Sequence, residues 1–191
     1  MNEVNFILKP FPSSAPLPEI QITGKVQRKS NIFSICYQVS GNIAQIYVPA
    51  PKTVISRQRE LWETTCLEFF LGIKNSPRYW EFNLSPSGDW NIYRFTDYRQ
   101  GMEEEKAIAS LPFQVNQESH LFQLDLELDL APMMELDTEL DLGITAVIQS
   151  QQGEISYWGL THCGTQPDFH LRDSFVVSTL VSLPQVSHLD G

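Results

Sequence analysis

The chain has 191 residues, which is enough for one medium-sized domain to bury a core without disulfides or metal ions. Its formal net charge of -10 at pH 7 means that nucleic acids and anionic membrane surfaces would repel it at long range. No stretch approaches the roughly 20 apolar residues of a membrane span, and the N-terminus lacks a signal-peptide pattern, so we expect one cytoplasmic domain over residues 1–191 with no nucleic-acid or membrane partner.

Apolar and polar residues alternate along most of the chain, and this period of two is typical of β-strands. In chain order the predicted strands are Val4–Leu8, Glu19–Arg28, Ile32–Val39, Ala44–Val48, Cys66–Leu71, Tyr79–Ser85, Trp90–Phe95, Leu111–Val115, Leu121–Leu130, Asp141–Gln149, Ile155–Leu160 and Phe175–Leu180. Many short strands with frequent turns predict an all-β fold, an antiparallel β-sandwich of the jelly-roll or immunoglobulin-like type with little helix.

Three segments do not fit the strand pattern. Lys9–Pro18 contains four prolines, which remove backbone donors, so we expect an extended surface loop there. Ser56–Leu61 and Met102–Ser110 are rich in Arg, Gln, Glu, Lys and Ala, and this composition predicts a turn or two of helix in each.

Residues 66–95 carry the most informative pattern. Large apolar side chains alternate there with polar and aromatic ones, and the intervening turn residues predict that the strands at 66–71 and 79–85 pair antiparallel. This pairing would bring Glu68 near Glu81 or Asn83. The following strand would add either Tyr93 or Arg94 to the same solvent-facing surface.

The segments Leu61–Trp62, Thr65–Leu71 and Tyr79–Gly88 resemble the DOMON-like bacterial domains related to family-nine carbohydrate-binding modules. Ser156–His162 and Pro167–His170 resemble the closing part of the same pattern, so the likeness spans most of the chain. The resemblance implies a jelly-roll-like or immunoglobulin-like sandwich with a sugar-binding or other small-ligand face and no catalytic machinery. That superfamily also contains haem-binding members.

We expect a carbohydrate or a similar polar small ligand to bind this face. Aromatic rings suit the apolar patch of a pyranose, while carboxylates and amides bind its hydroxyls. The acidic and amide side chains would bind hydroxyls, Arg94 would orient the carboxylates, a tryptophan or tyrosine would stack, and the later histidines and aspartate would lie at the rim. The predicted ligand-binding residues are Trp62, Glu68, Glu81, Asn83, Trp90, Tyr93, Arg94, His162, Asp168 and His170.

The same residues have other interpretations. A tryptophan in a sandwich is more often part of the core than a stacking platform, above all Trp80. Glu68 and Glu81 would suit a glycoside hydrolase or lyase at a separation of about 5–10 Å. On a face open to water, however, neither carboxyl would have the raised pKa that a general acid needs, and we interpret both as solvated or hydroxyl-binding groups.

Two further alternatives concern metals and protein partners. His162, Cys163, Asp168 and His170 are metal-ligating residue types, but their spacing matches no strong metal signature, and we expect no metal and no cofactor, haem included. A protein-interaction module would instead present a large apolar patch and form a stable homodimer. The three cysteines are few, far apart and odd in number, which indicates reduced thiols.

Overall fold

The computed structural model describes residues 3–179, and within this range the regular structure is almost entirely β-strand. The described residues contain no α-helix, and hence none with the length and apolarity that a membrane crossing requires. The strands are β1 Val4–Pro10, β2 Ile20–Lys29, β3 Ile32–Gly41, β4 Cys66–Ile73, β5 Tyr79–Leu84, β6 Trp90–Phe95, β7 Glu103–Glu104, β8 Phe113–Gln117, β9 Leu121–Asp129, β10 Leu140–Gln149, β11 Ile155–Gly159 and β12 Val177–Thr179.

The strands form two antiparallel layers. The first sheet has the order β1, β2, β3, β9, β8, and the second has the order β11, β10, β4, β5, β6, β7 with β12 beside β10. β1 joins them, because its body pairs with β2 while its last residues, Lys9 and Pro10, pair with β11. The predicted antiparallel β-sandwich is therefore confirmed.

Most predicted strands coincide with observed ones, but Ala44–Val48 is wrong. Ile43–Gln45 is a 3-10 turn, and only Ile46 makes an isolated bridge, to Ser150. Ile43 and Ile46 are both buried, so the apolar spacing here is three residues, which suits a 3-10 turn rather than a strand. The last predicted strand corresponds to β12, and its Leu180 lies outside the described residues.

Both predicted helices are also wrong. Met102–Ser110 contains β7, and Ser56–Leu61 is non-helical up to the 3-10 turn at Leu61–Glu63. The guanidinium of Arg57 donates hydrogen bonds to the backbone oxygens of Glu105 at 2.9 Å and Ile108 at 2.7 Å, so the two segments hold each other in non-helical form. These tertiary hydrogen bonds outweigh the weak helix propensity of the composition.

The core lies between the sheets and fixes the orientation of β4. The ring of Phe69 stacks on Phe82 of β5 at 4.2 Å and on Phe33 of the first sheet at 5.0 Å between centroids. The hydroxyl of Tyr37 also crosses the layers and donates to the backbone oxygen of Glu68 at 2.5 Å. With Phe69 held inside, the pleat places the side chains of its two neighbours, Glu68 and Phe70, on the outer face.

The outer face of β4, β5 and β6 is not exposed to solvent as the alternation predicted. Nearly every residue of these three strands is buried. Trp62 packs against Tyr93 on this face, and Phe175 and His170 pack against Phe70. Loops before β4 and after β11 therefore cover much of this face and convert a flat surface into a concave one.

Replacement of Phe69 by alanine tests the role of this core contact. Phe69 is 0% exposed, and truncation of a buried phenylalanine leaves a cavity that costs about 3–5 kcal/mol. Urea unfolding should show this loss in the free energy of unfolding. Val54→Ala is the control, because Val54 is 78% exposed and should change stability by less than about 0.5 kcal/mol. Equal stability of the two variants would contradict the packing assigned to Phe69.

Candidate functional site

Strand register brings the polar residues of three strands onto one patch. Glu68 pairs with Asn83 across β4 and β5, and Glu81 pairs with Phe70 on one side and Tyr93 on the other. Glu68 and Glu81 are thus diagonal neighbours on the same face, in the arrangement expected from the alternation. Arg94 has the opposite orientation, because it pairs with Trp80.

The two carboxyl groups are buried, contrary to the expectation of solvated side chains. Glu68 is 2% exposed and Glu81 is 5% exposed. The amide of Asn83 donates to Oε1 of Glu81 at 2.9 Å, and the hydroxyl of Thr145 donates a long hydrogen bond of 3.4 Å to Oε2 of Glu68. Oε1 of Glu68 has no hydrogen-bond partner among residues 3–179. A buried polar atom without a partner is rare and indicates a functional constraint.

Burial changes the protonation of this pair. Removal from water raises the pKa of Glu81 to about 7, an effect that the Asn83 amide and the Arg99 charge only partly oppose. Burial raises the pKa of Glu68 well above its usual range, and the negative charge of Glu81 raises it further. Each carboxyl therefore keeps its proton to a higher pH than a solvated glutamic acid.

His170 lies against the same carboxyls in its neutral form. Burial and, to a smaller extent, the Arg99 charge lower the pKa of His170 to about 4. The hydroxyl of Tyr79 accepts the backbone N–H of Arg99 at 3.1 Å and also forms a hydrogen bond with Nδ1 of His170 at 2.9 Å. Nε2 of His170 faces Oε2 of Glu81 at 3.7 Å. Since the imidazole is neutral, this contact is polar rather than ionic.

These groups line a pocket of about 630 Å³, which we call the Glu68 pocket. Its remaining polar lining comes from Arg99 and Gln166, with Met102, Val147 and Pro167 as apolar contacts. Six aromatic side chains also line it: Trp62, Phe70, Phe95, Tyr157, Phe169 and His170. A concave, mostly apolar pocket with a few convergent polar groups is typical of a small-ligand site.

Asp168 holds one wall of the Glu68 pocket in place. Its carboxylate accepts hydrogen bonds from the hydroxyl of Tyr98 at 2.5 Å, from the guanidinium of Arg99 at 3.0 Å and from the backbone N–H of His170 at 3.0 Å. Asp168 therefore fixes the loop that carries His170 against the turn after β6. It does not itself line the pocket.

Three predicted site residues lie outside the Glu68 pocket. Trp90 is 3% exposed in the core beneath the guanidinium of Arg57, so it cannot stack on a ligand. Arg94 pairs with Glu103 on the exposed edge of the second sheet, because it lies on the opposite side of β6 from Tyr93. His162 contacts the backbone oxygen of Lys9 at 2.8 Å and does not line the pocket.

Tyr93 and Asn83 contact residues that line the pocket, Trp62 and Glu81 respectively. Tyr93 lies under the edge of Trp62, with 5.7 Å between ring centroids, and its hydroxyl accepts a hydrogen bond from Asn91 at 2.9 Å. Asn83 is fully buried and positions Glu81. Neither lines the pocket, so both would act through their neighbours.

The sequence analysis missed several lining residues. Phe70 and Phe95 share the outer face of the strands with Glu68 and Glu81, so the same alternation could have identified them. Tyr157 on β11 could have been found in the same way. Gln166 and Phe169 lie in a loop without periodicity, and the only sequence signal near them is the family resemblance of Pro167–His170, which contains Phe169.

The described residues do not form a set of ligands for a metal ion. In the described part of the chain, no group of three or more histidine, cysteine, aspartate or glutamate side chains is arranged to hold a metal ion. The predicted cluster is divided, since His162 contacts Lys9 while His170 contacts Tyr79.

A second cavity of about 630 Å³ lies on the outer face of the first sheet. Its lysine, Lys25, already pairs with Glu3 at 3.1 Å. Burial and contact with Asp125 together raise the pKa of the Cys36 thiol to about 12, so the thiol is unreactive. The Glu68 pocket is the better candidate because its polar floor has an unpartnered group.

Comparison with known proteins finds similarity in structure but not in sequence. No protein-family model matches the sequence, and no curated protein sequence does either. A proposed carbohydrate-binding protein from Bacteroides uniformis is similar in structure, with a TM-score of 0.61, 13% identity and coverage of 88% of this chain and 84% of that chain. The chain shares that protein's fold.

Two family 9 carbohydrate-binding module structures from Caldicellulosiruptor kristjanssonii are more distant. The one in complex with glucose has a TM-score of 0.44 and 11% identity, and covers 77% of this chain and 69% of that chain. The one in complex with cellotriose has a TM-score of 0.47 and 13% identity, and the match covers 83% of this chain and 73% of that chain.

The raised pKa of Glu81 predicts a pH-dependent stability. The folded protein binds this proton more tightly than the unfolded chain, whose carboxyl has the ordinary pKa of about 4.5. The favourable contribution of the protonated group is complete below pH 4.5 and is lost as the pH rises to about 7. The difference of pKa corresponds to about 3 kcal/mol.

Urea unfolding at pH 5 and pH 8 measures this effect. The free energy of unfolding of the wild type should fall by up to about 3 kcal/mol more than that of Glu81→Gln, since the amide cannot ionise. Glu139→Gln is the control, because Glu139 is an exposed partner of Lys74 and does not line the pocket. The same pH dependence in the wild type and in Glu81→Gln would show that Glu81 ionises normally in the folded protein.

Proposed function

We propose that the Glu68 pocket binds a carbohydrate or a similar polar, ring-shaped small ligand. One observation carries this proposal: the buried carboxyls of Glu68 and Glu81, one with an unpartnered oxygen, lie beside aromatic rings in a single pocket. Sugars combine an apolar ring face with directed hydroxyls, and the pocket offers contacts for both.

The protonation of the carboxyls supports hydroxyl binding. A protonated carboxyl group has one donor and one acceptor oxygen, so it can pair with a sugar hydroxyl in both senses. The unpartnered Oε1 of Glu68 would gain its missing hydrogen bond from the ligand. Trp62 is half-buried and would present its ring to the apolar face of the sugar. The volume of about 630 Å³ lies within the range of small-molecule sites.

The shared fold supports this proposal in a general way. The Bacteroides uniformis protein is itself described as a proposed carbohydrate-binding protein, and the same role is our proposal for this chain. The likeness to DOMON-like domains and a cytoplasmic location also remain proposals. Two of the three free cysteines, Cys36 and Cys66, are buried, which is compatible with a reducing compartment.

Two alternatives have direct tests. Glycoside hydrolysis is favoured by the raised pKa of Glu81, since a general acid must hold its proton near neutral pH. It predicts turnover of a chromogenic glycoside that is lost in Glu81→Gln. The interaction module and the homodimer stay predictions, and light scattering would detect a stable dimer.

Titration calorimetry with a panel of mono- and oligosaccharides tests the binding proposal. Glu81→Ala removes a neutral hydrogen-bonding group that is worth about 0.5–1.5 kcal/mol, so we expect roughly two- to tenfold weaker binding. Trp62→Ala should also weaken binding, because it removes the stacking surface.

The matched control is Glu139→Gln, which leaves the pocket intact and should bind like the wild type. Circular dichroism establishes that each variant is folded. The proposal fails if no sugar produces heat with the wild type, or if the folded Glu81→Ala and Trp62→Ala variants bind as tightly as the control.

A further inference from the structure

The two carboxyls of the Glu68 pocket lack a positively charged partner. Among residues 3–179, Glu68 forms no ion pair, and the only one assigned by distance to Glu81 is with His170, whose imidazole is neutral. Buried carboxyls are usually paired with a cation, because an unpaired charge in a low-dielectric site is costly. Both carboxyls of the pocket therefore hold their protons, because no neighbouring side chain pairs with their ionised forms.

Among the described residues, Arg99 is the only lysine or arginine that lines the pocket, and it already has a partner. Its guanidinium lies 3.0 Å from the carboxylate of Asp168, which does not line the pocket. This pair fixes the loop wall, as described above, and is about half exposed on the arginine side. The Arg99 charge is therefore largely compensated outside the floor.

The aromatic lining suits a positive charge as well as a sugar ring. The faces of aromatic rings attract cations, and several rings around one small volume form the type of cage that binds ammonium groups. Trp62, Phe95, Tyr157 and Phe169 contribute rings to the pocket, in addition to Phe70 of β4 next to Glu68. Oε1 of Glu68 is buried without a partner in this lining, which marks the place where a donor from a ligand would fit.

We propose that the Glu68 pocket recognises a protonated amine, and that its carbohydrate ligand is an amino sugar with a free amino group. This inference rests on the proposed sugar-binding function and makes it more specific. The ammonium would donate hydrogen bonds to Glu68 and Glu81, while the aromatic rings contact the sugar ring and the charge. A neutral sugar would leave both carboxyls protonated, and an acidic sugar would add a negative charge that opposes their ionisation, so only an amine gains an ion pair here.

Proton release gives a signature of this binding mode. At pH 6 Glu81, with its pKa of about 7, carries a proton in the free protein. An ammonium beside it favours the ionised form, so binding should release up to about one proton. Neutral sugars should release none. The titratable and charged groups facing the carboxyls are Cys66, Tyr79, Tyr93, Arg99 with Asp168, and His170.

The experiment is titration calorimetry of the wild-type protein at pH 6 with glucosamine, glucose, N-acetylglucosamine and cyclohexylammonium. Each titration is repeated in buffers of different ionisation enthalpy, which measures the protons released. We expect glucosamine to bind at least tenfold more tightly than glucose or N-acetylglucosamine and to release protons. The ratio of the glucosamine and glucose affinities should fall in Glu68→Gln, which keeps only the Glu81 carboxyl, and stay unchanged in Glu139→Gln.

The outcomes separate this inference from the proposed function. Equal affinity for glucosamine and glucose, or glucosamine binding without proton release, overturns the amine inference and leaves sugar binding intact. Binding of cyclohexylammonium with proton release, without binding of any sugar, supports amine recognition and overturns the carbohydrate proposal. Binding of none of the four compounds overturns both. Because affinity and proton release are measured on the wild type, the test does not depend on the folding of Glu68→Gln.

Discussion

The Glu68 pocket depends on the orientation of β4, which has the hydrophobic core on one face and the pocket on the other. Phe69 is clamped in the core by Phe33 and Phe82, and the hydroxyl of Tyr37 binds the backbone at Glu68 from the first sheet. In a pleated strand these contacts leave one orientation for the neighbouring side chain. A shift of one residue would place Glu68 among the core phenylalanines, which would cost far more than the core packing could offset.

The covering segments then convert this orientation into a site. The loop after β11 is fastened at two places: Asp168 binds Tyr98 and Arg99, and the guanidinium of Arg172 donates to the backbone oxygens of Ile73 and Arg78. These polar contacts lie around the pocket and leave its floor unpaired. The loop therefore removes water from the two carboxyls without supplying the charge that would stabilise their ionised forms.

Buried carboxyls of this kind reduce the stability of the fold. Their protonation state, however, responds strongly to a ligand bound beside them. The same removal of water that raises the pKa of Glu81 to about 7 makes its protonation respond to any charge placed nearby. A ligand with hydrogen-bond donors would restore the interactions that the fold withholds from Glu68. Among the described residues, an unpartnered buried oxygen such as Oε1 of Glu68 is typical of functional sites, where the rest of the fold tolerates it.

The sequence by itself determined the strands, the antiparallel pairing of β4 with β5 and the common face of Glu68, Glu81 and Asn83, because alternation and turn residues act over a few positions along the chain. It could not determine that this face is covered, that Arg94 is directed away at the sheet edge, or that His162 and His170 separate. Those features depend on contacts such as Tyr79 with His170, between residues far apart in the chain, and no local pattern encodes which loop packs on which face. The tertiary structure alone therefore decided that the polar face is a buried pocket rather than a solvated surface.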